Sequence, residues 1–346
     1  MIYFNSDYLE GAHPALLEKL NETNMVQTVG YGEDEYCAAA REKIKAACQA
    51  PEADVHFLVG GTQTNTTVIA AILRPWQGVL SAVSGHINCH EAGAIESTGH
   101  KVITLPTTNG KITAQQVRDY VEWHKHDEST EHIVQPGMVY ISHPTEGGTL
   151  YTKAELTELY GTCREYGLPL FIDGARLGYG LMADESDMTL PELARLCDVF
   201  YIGGTKVGAL FGEAVVIMNE SLKKDFRFIM KQRGGRMAKG RLLGVQFDAL
   251  FTDDLYFKIS RHAIEMAHQI RDIFVSAGYP LLFDSPTNQQ YPIMPDTELA
   301  EIGKSFGYEY WERVDADHSG VRFCASWATK QEHVDALREA VNALKK

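Results

Sequence analysis

Long apolar runs, a basic surplus and closely paired cysteines are all missing from this 346-residue chain. No hydrophobic stretch approaches the roughly 18 residues that a membrane-crossing helix needs, which speaks against a membrane partner. The opening residues MIYFNSDYLEG lack the basic start and apolar core of a secretory signal, so the expected compartment is the cytoplasm. Six cysteines (Cys37, Cys48, Cys89, Cys163, Cys197 and Cys324) lie far apart with no C-x-x-C pair. That spacing argues against a zinc knuckle or a disulfide framework and for small core residues. A formal net charge of −14 disfavours a nucleic-acid partner, because phosphate backbones call for a positive face. The one basic cluster, RGGRMAKGR at 233–241, taken alone reads as a solvated loop. No repeat or low-complexity tract interrupts the chain.

What is present is a large apolar fraction, 45% of residues, arranged with two alternating periods. Short β-rich runs at 54–59, 78–83, 101–106, 138–144, 169–175, 198–204 and 213–218 alternate with helical stretches. This pattern predicts an α/β fold with a mostly parallel seven-stranded sheet flanked by helices. Thr113 with Gln116, and Thr152 with Glu155, have the spacing of capping boxes, and Gly167 has the place of a helix stop. A long helix over 253–277 leads to a second group, with strands near 280–285, 289–294 and 321–326 and a last helix capped by Thr329 and Glu332. The expected organisation is an arm over 1–12, a large domain over 13–250 and a small C-terminal α/β domain over 251–346.

In open α/β sheets ligands bind beyond the carboxyl ends of the strands, and four of these ends are chemically loaded. GGTQTN (60–65) precedes a helix and resembles an anion cradle, although a plain strand-to-helix turn would look the same. It lacks the dinucleotide and Walker patterns. SGHINCHE (84–91) offers His86 as a helix cap or as a ring to lie against a flat ligand. The His86–His90 spacing would suit a metal, but the H-E-x-x-H order and a third ligand are lacking, so no metal is expected. His124, His126 and His132 sit in a polar stretch and read as solvated.

DGAR (173–176) ends an apolar strand with Asp173, which is either a structural partner of Arg176 or the partner of some other cation. Lys206 follows the strand at 198–204. It could snorkel into water, or be held partly desolvated as a nucleophilic amine. Anion loop, strand-end Asp and strand-end Lys in that order fit pyridoxal 5'-phosphate, which has a phosphate to cradle, a pyridine nitrogen to protonate and an aldehyde to capture.

Over nearly its whole length the chain resembles the L-threonine aldolases of the β-eliminating lyase superfamily, which have the aspartate-aminotransferase fold (fold type I). The resemblance is carried by NSD (5–7), YGEDE (31–35), GGTQTN, the histidine of SGHINCHEAGA (84–94), DGAR, Lys206 and VRFCASW (321–327). It implies retro-aldol cleavage of threonine, allo-threonine and related β-hydroxy-α-amino acids to glycine and an aldehyde. By the resemblance Lys206 binds the cofactor covalently, Asp173 pairs with the pyridine nitrogen, His86 stacks on the ring, and Gly61 and Thr62 hold the phosphate. Ser6, Arg176 and Arg322 would orient the substrate carboxylate or the cofactor's phenolic oxygen. The same resemblance implies a homodimer or homotetramer with sites between subunits, to which a neighbour contributes Tyr31 and a basic residue among Arg236, Lys239 and Arg241.

Many relatives carry a histidine facing the substrate hydroxyl in a segment E-N-T-H-N-G. Here the segment is SHPTEGGT (142–149) and the matching position is Thr145. His143, Glu146, His86 or an ordered water are the candidates for the base. The rival reading is another pyridoxal phosphate reaction on the same fold, β-elimination or transamination.

Overall fold

The computed structural model describes residues 1–345. At its centre lie seven strands: β1 (Asp54–Leu58), β2 (Gln77–Ala82), β3 (Val102–Leu105), β4 (Gln135–Ser142), β5 (Leu170–Asp173), β6 (Val199–Gly203) and β7 (Glu213–Ile217). Each expected strand of the large sheet falls on one of them. Their spatial order is β1-β7-β6-β5-β4-β2-β3. β7 runs antiparallel to both neighbours and every other pairing in the sheet is parallel. Six strands therefore finish at one edge of the sheet, and β7 begins there. Across that edge Leu58, Glu213 and Gly203 stand in register.

Alternate residues serve opposite faces, as the two-residue period of a strand requires. Leu80, Val139, Ile172, Phe200 and Val216 enter one core, whereas Val79, Tyr140, Phe171, Tyr201 and Val215 enter the other. Both faces are thus covered, which is why the strands read as nearly unbroken apolar runs.

The covering helices begin and end where the sequence signals them. α1 (Gly61–Ile72) follows β1 directly. α2 (Ala114–His126) and α3 (Lys153–Tyr166) each open with a complete capping box, Thr113 with Gln116 and Thr152 with Glu155. Gly167 closes α3 in the left-handed region at φ 68°, where a side chain would be strained.

α4 (Arg241–Leu250) and α5 (Leu255–Ser276) lead out of this unit. Tyr256, Ile259, Ala263 and Ile264 of α5 belong to the large core, while Met266, Ile270, Ile273 and Phe274 belong to a second one. That second core packs against an antiparallel sheet of β8 (Ile293–Pro295), β9 (Glu309–Arg313) and β10 (His318–Cys324), in the order β8-β10-β9, and against α6 (Gln331–Leu344). Phe4 of the N-terminal segment sits in it at 2% exposure, which anchors that segment by about 1.5–3 kcal/mol.

Three local expectations are corrected here. No strand forms over 280–285, where a single bridge, Leu281 to Pro292, is made. β9 was not anticipated, because EYWER is exposed on four of its five residues and shows no apolar alternation. Thr329 and Glu332 do not cap α6: Lys330 is the N-cap, without a side-chain bond, and Thr329 Oγ1 instead accepts from the Ser326 N–H at 2.8 Å.

Candidate active site

A cavity of about 350 Å³ opens at the sheet edge where six strands end. Gly61, Thr62, His86, Asp173, Arg176 and Lys206 all line it, so six of the residues singled out in the sequence come together.

Asp173 is the last residue of β5 and is buried. Its Oδ2 accepts from Tyr140 Oη at 2.7 Å and from Asn65 Nδ2 at 3.0 Å. Its Oδ1 accepts from the Ala175 N–H at 3.0 Å and from Tyr201 Oη. Four donors fix the carboxylate in one rotamer. Gly174 makes this possible: a Cβ there would lie 2.0 Å from the Tyr201 carbonyl oxygen, so no other residue lets the end of β5 lie so close to β6.

The same Asn65 nitrogen donates to Glu91 Oε1 at 2.7 Å, and Glu91 Oε1 meets His86 Nδ1 at 2.8 Å. Burial by itself would lower the imidazole's pKa. The Glu91 bond and the nearby charges of Asp173 and Glu91 outweigh it, and the net shift is upward. With Nδ1 engaged, Nε2 is the ring's free nitrogen.

Lys206 stands on the turn after β6. Burial, reinforced by the charge of Arg176, pulls its ammonium below the usual lysine range against the opposing pull of Asp7, Asp173 and Glu213. Desolvation of this kind is what makes an amine nucleophilic near neutral pH. Glu213 lines the cavity beside it. Its carboxyl accepts from Thr205 Oγ1 at 2.8 Å and from the Gly204 N–H at 3.1 Å, and burial pushes its pKa up to about 8.

Arg176 is held in a forked pair by Asp7, Nε to Oδ2 at 2.6 Å and Nη2 to Oδ1 at 3.0 Å. Asn288 Nδ2 donates to the same Asp7 Oδ2 at 2.9 Å. Burial raises the Asp7 pKa, but the charges of Arg176 and Lys206 and these bonds carry it well below the usual carboxylate range. Glu146 also reaches the cavity wall.

Six expected site residues are not among those lining the cavity. His143 is turned into the core beside Tyr151, with Nδ1 accepting from the Tyr151 N–H at 3.4 Å, and burial lowers its pKa to about 4. The Thr145 hydroxyl is tied to Thr149 Oγ1 at 2.7 Å. Neither side chain lines the cavity. Ser6 is buried without reaching the cavity wall. Arg322 spends its Nη groups on Gln289 Oε1 at 2.9 Å, the Asn5 carbonyl at 3.1 Å and Glu309, while its Nε is buried without a partner. Tyr31 and the loop carrying Lys239 form one separate surface: the Tyr31 N–H donates to the Ala238 carbonyl at 3.1 Å, and both Tyr31 and Lys239 are exposed. That pairing holds them away from this chain's own cavity.

The residues missed in the sequence are Asn65, Glu91, Tyr140, Tyr201 and Glu213. Asn65 and Glu91 stood inside the quoted motifs, but among polar neighbours in sequence, so only the structure shows that they are buried.

Pyridoxal 5'-phosphate makes three demands, and the cavity meets them. The first turn of α1, whose N-cap Gly60 offers no side-chain bond, leaves backbone N–H groups free for a phosphate. Asp173 and Lys206 stand in the same cavity for the pyridine nitrogen and the aldehyde. Fold and site together define a pyridoxal phosphate-dependent lyase of fold type I. The chain belongs to the beta-eliminating lyase family, whose model matches residues 4–341. It is 28% identical to the low specificity L-threonine aldolase of Pseudomonas aeruginosa, over 96% of this chain and 95% of that protein. The solved threonine aldolase of Leishmania major superposes with a TM-score of 0.97 at 42% identity, with all of both chains covered. An aspartate aminotransferase mutant of Thermus thermophilus, 14% identical, shares the fold at a TM-score of 0.72 over 99% of this chain and 91% of that one.

Proposed function

We propose that this chain is a threonine aldolase that cleaves L-threonine, L-allo-threonine and related β-hydroxy-α-amino acids to glycine and an aldehyde. The observation that carries this reading is the single cavity in which a depressed lysine, a four-fold hydrogen-bonded aspartate and a paired arginine meet an uncapped helix N-terminus. Similarity to threonine aldolases from two organisms supports it.

Gly61 and Thr62 would hold the phosphate, Asp173 would pair with the pyridine nitrogen, and Lys206 would supply the amine for the aldehyde. His86, steadied by Glu91, would support the ring. Bound there, the cofactor supplies an electron sink for the pair released when the Cα–Cβ bond breaks. Arg176, held rigid by Asp7, would orient the substrate carboxylate or the cofactor's phenolic oxygen, and a fixed carboxylate would set which bond at Cα is broken. Ser6 and Arg322, which do not line the cavity, would support the carboxylate only by turning toward it, Arg322 with its unpartnered Nε. Lys206 would exchange a proton with Cα.

Two copies complete the assembly in this reading. Tyr31, with Arg236 and Lys239, belongs to a surface outside its own chain's cavity and reaches a neighbour's phosphate, in a homodimer or homotetramer. We divide the chain into an arm over 1–12, a large domain over 13–250 and a small one over 251–346, because the two cores meet along α5. No helix among the described residues is long and apolar enough to cross a membrane. Six free thiols support a cytosolic setting.

Incubation with threonine, allo-threonine and phenylserine tests the function. Aldehyde and glycine should appear in equal amounts; a keto acid without aldehyde would sink the aldolase reading in favour of β-elimination or transamination.

A further inference from the structure

The reaction needs a group to take the proton of the substrate's β-hydroxyl, and at the position beyond β4 where many relatives carry a histidine this chain has Thr145. Of the side chains in that segment that could replace the histidine, His143 lies in the core and Thr145 is bonded to Thr149. Glu146 is the acidic or basic side chain of the segment that lines the cavity.

Its geometry is that of an aimed base. Oε1 accepts from Ser142 Oγ at 2.6 Å and from the His86 N–H at 2.9 Å. Both bonds fall on the same oxygen, and no other residue among those described donates to Oε2. The backbone is held as firmly: the Glu146 carbonyl accepts from Tyr291 Oη at 2.8 Å and from Gln289 Nε2 at 3.3 Å. A carboxylate anchored through one oxygen and free at the other is fixed in place yet able to receive a proton.

We propose that Glu146 is the catalytic base for the β-hydroxyl, an inference that rests on the aldolase reading above. Oε2 takes the hydroxyl proton, and the O–H electron pair becomes the second bond of the aldehyde carbonyl. The Cα–Cβ bond breaks and its pair stays on the Cα side. Cα then takes one proton, and Glu146 returns its own to solvent, so the cleavage is proton-neutral. His86 is the competing candidate on the wall, since Nδ1 is held by Glu91 and Nε2 is free, and the test therefore includes a variant of it. Burial lifts the Glu146 carboxyl above the usual glutamate range against the lowering effect of the Ser142 bond, which brings it closer to the working pH of a base.

The test compares the full-length wild type with Glu146→Gln, Ser142→Ala and His86→Asn, each loaded with pyridoxal phosphate. Glu146→Gln should slow acetaldehyde release from threonine by about 100-fold or more. Exchange of the glycine Cα proton with deuterium, followed by NMR, requires no β-hydroxyl base and should stay within about threefold. The acidic limb of kcat/KM should disappear in Glu146→Gln and move to higher pH in Ser142→Ala, since that variant loses a bond that favours the ionised form. Independently of turnover, infrared difference spectra of the cofactor-free chain should lose one carboxylate titrating above the usual range in Glu146→Gln.

Equal loss of cleavage and exchange would make Glu146 structural and overturn the proposal. So would an acidic limb that survives in Glu146→Gln but vanishes in His86→Asn. If the wild type released no aldehyde at all, the aldolase reading itself would fall, an outcome distinct from either of these.

Discussion

Asp7→Asn removes one charge from the most heavily paired ion pair at the site. Asp7 accepts two bonds from Arg176 and one from Asn288, and its carboxylate is fully buried. An asparagine can keep an acceptor at one oxygen position, but its NH2 would then confront a donor at the other. At least one charge-assisted bond is lost, about 1.5–3 kcal/mol, and Arg176 is left buried without a counter-charge. Breaking a buried pair from one side typically costs about 3–5 kcal/mol in all. With an unfolding entropy of about 2.1 cal/mol/K per residue, this predicts a thermal midpoint lowered by about 4–7 °C for a chain of this length. The sign of the pH dependence follows from the depressed native pKa. The pair's stabilisation is full above the unfolded value, near pH 4, and fades as pH falls below it. Differential scanning fluorimetry from pH 7 down to pH 3 should therefore show the two proteins converging in acid. A midpoint shift below about 1 °C at pH 7, or a gap that widens in acid, would refute the reasoning.

Three further outcomes are expected. Lys206→Ala should retain no cofactor after borohydride treatment, whereas the wild type should carry the label on the tryptic peptide containing residue 206; a labelled variant would assign the attachment elsewhere. In the cofactor-free protein Glu213 costs stability as pH rises from its unfolded value through about 8, because its folded pKa is raised. Glu213→Gln, which mimics the protonated form, should thus unfold at a higher temperature than wild type at pH 9 and at a similar one near pH 5; the reverse order would contradict the assigned shift. Gly174→Ala places a methyl 2.0 Å from a backbone oxygen and should cost about 3 kcal/mol or more, seen as loss of soluble protein or a sharply lower midpoint. A variant of wild-type stability would show that the approach of β5 to β6 is slack.

Much of the site could be read from the sequence because it is local. Asp173 closes an apolar strand and Lys206 follows another by three residues, Gly61 and Thr62 open a helix, and a rule about strand ends finds all of them. That rule fails for Glu213, which starts a strand. It reaches the edge because β7 runs opposite to its neighbours, and nothing in EAVVI announces direction. Tyr140 and Tyr201 escaped for another reason: within β4 and β6 they read as core, which their rings are, while their hydroxyls alone reach Asp173. His143 misled in the opposite sense, since a histidine beside a strand end looks poised for chemistry until its neighbour Tyr151 is seen to hold the ring in the core. In the small domain, short strands with exposed residues such as β9 carry little alternation to detect.

The segment around Phe4 and Asp7 leaves the ribosome long before the groups it needs. Arg176 lies 169 residues further on, Asn288 another 112 beyond that, and Arg322, which donates to the Asn5 carbonyl, is 317 residues away from it. Until then Phe4 is an unburied aromatic with no sheet to join. Pairings of such long sequence separation form late and slowly. The cluster of Asp7, Arg176 and Asn288 consequently cannot close until Asn288 has been made, and a nascent chain stalled before it would carry all seven strands of the central sheet with that cluster incomplete.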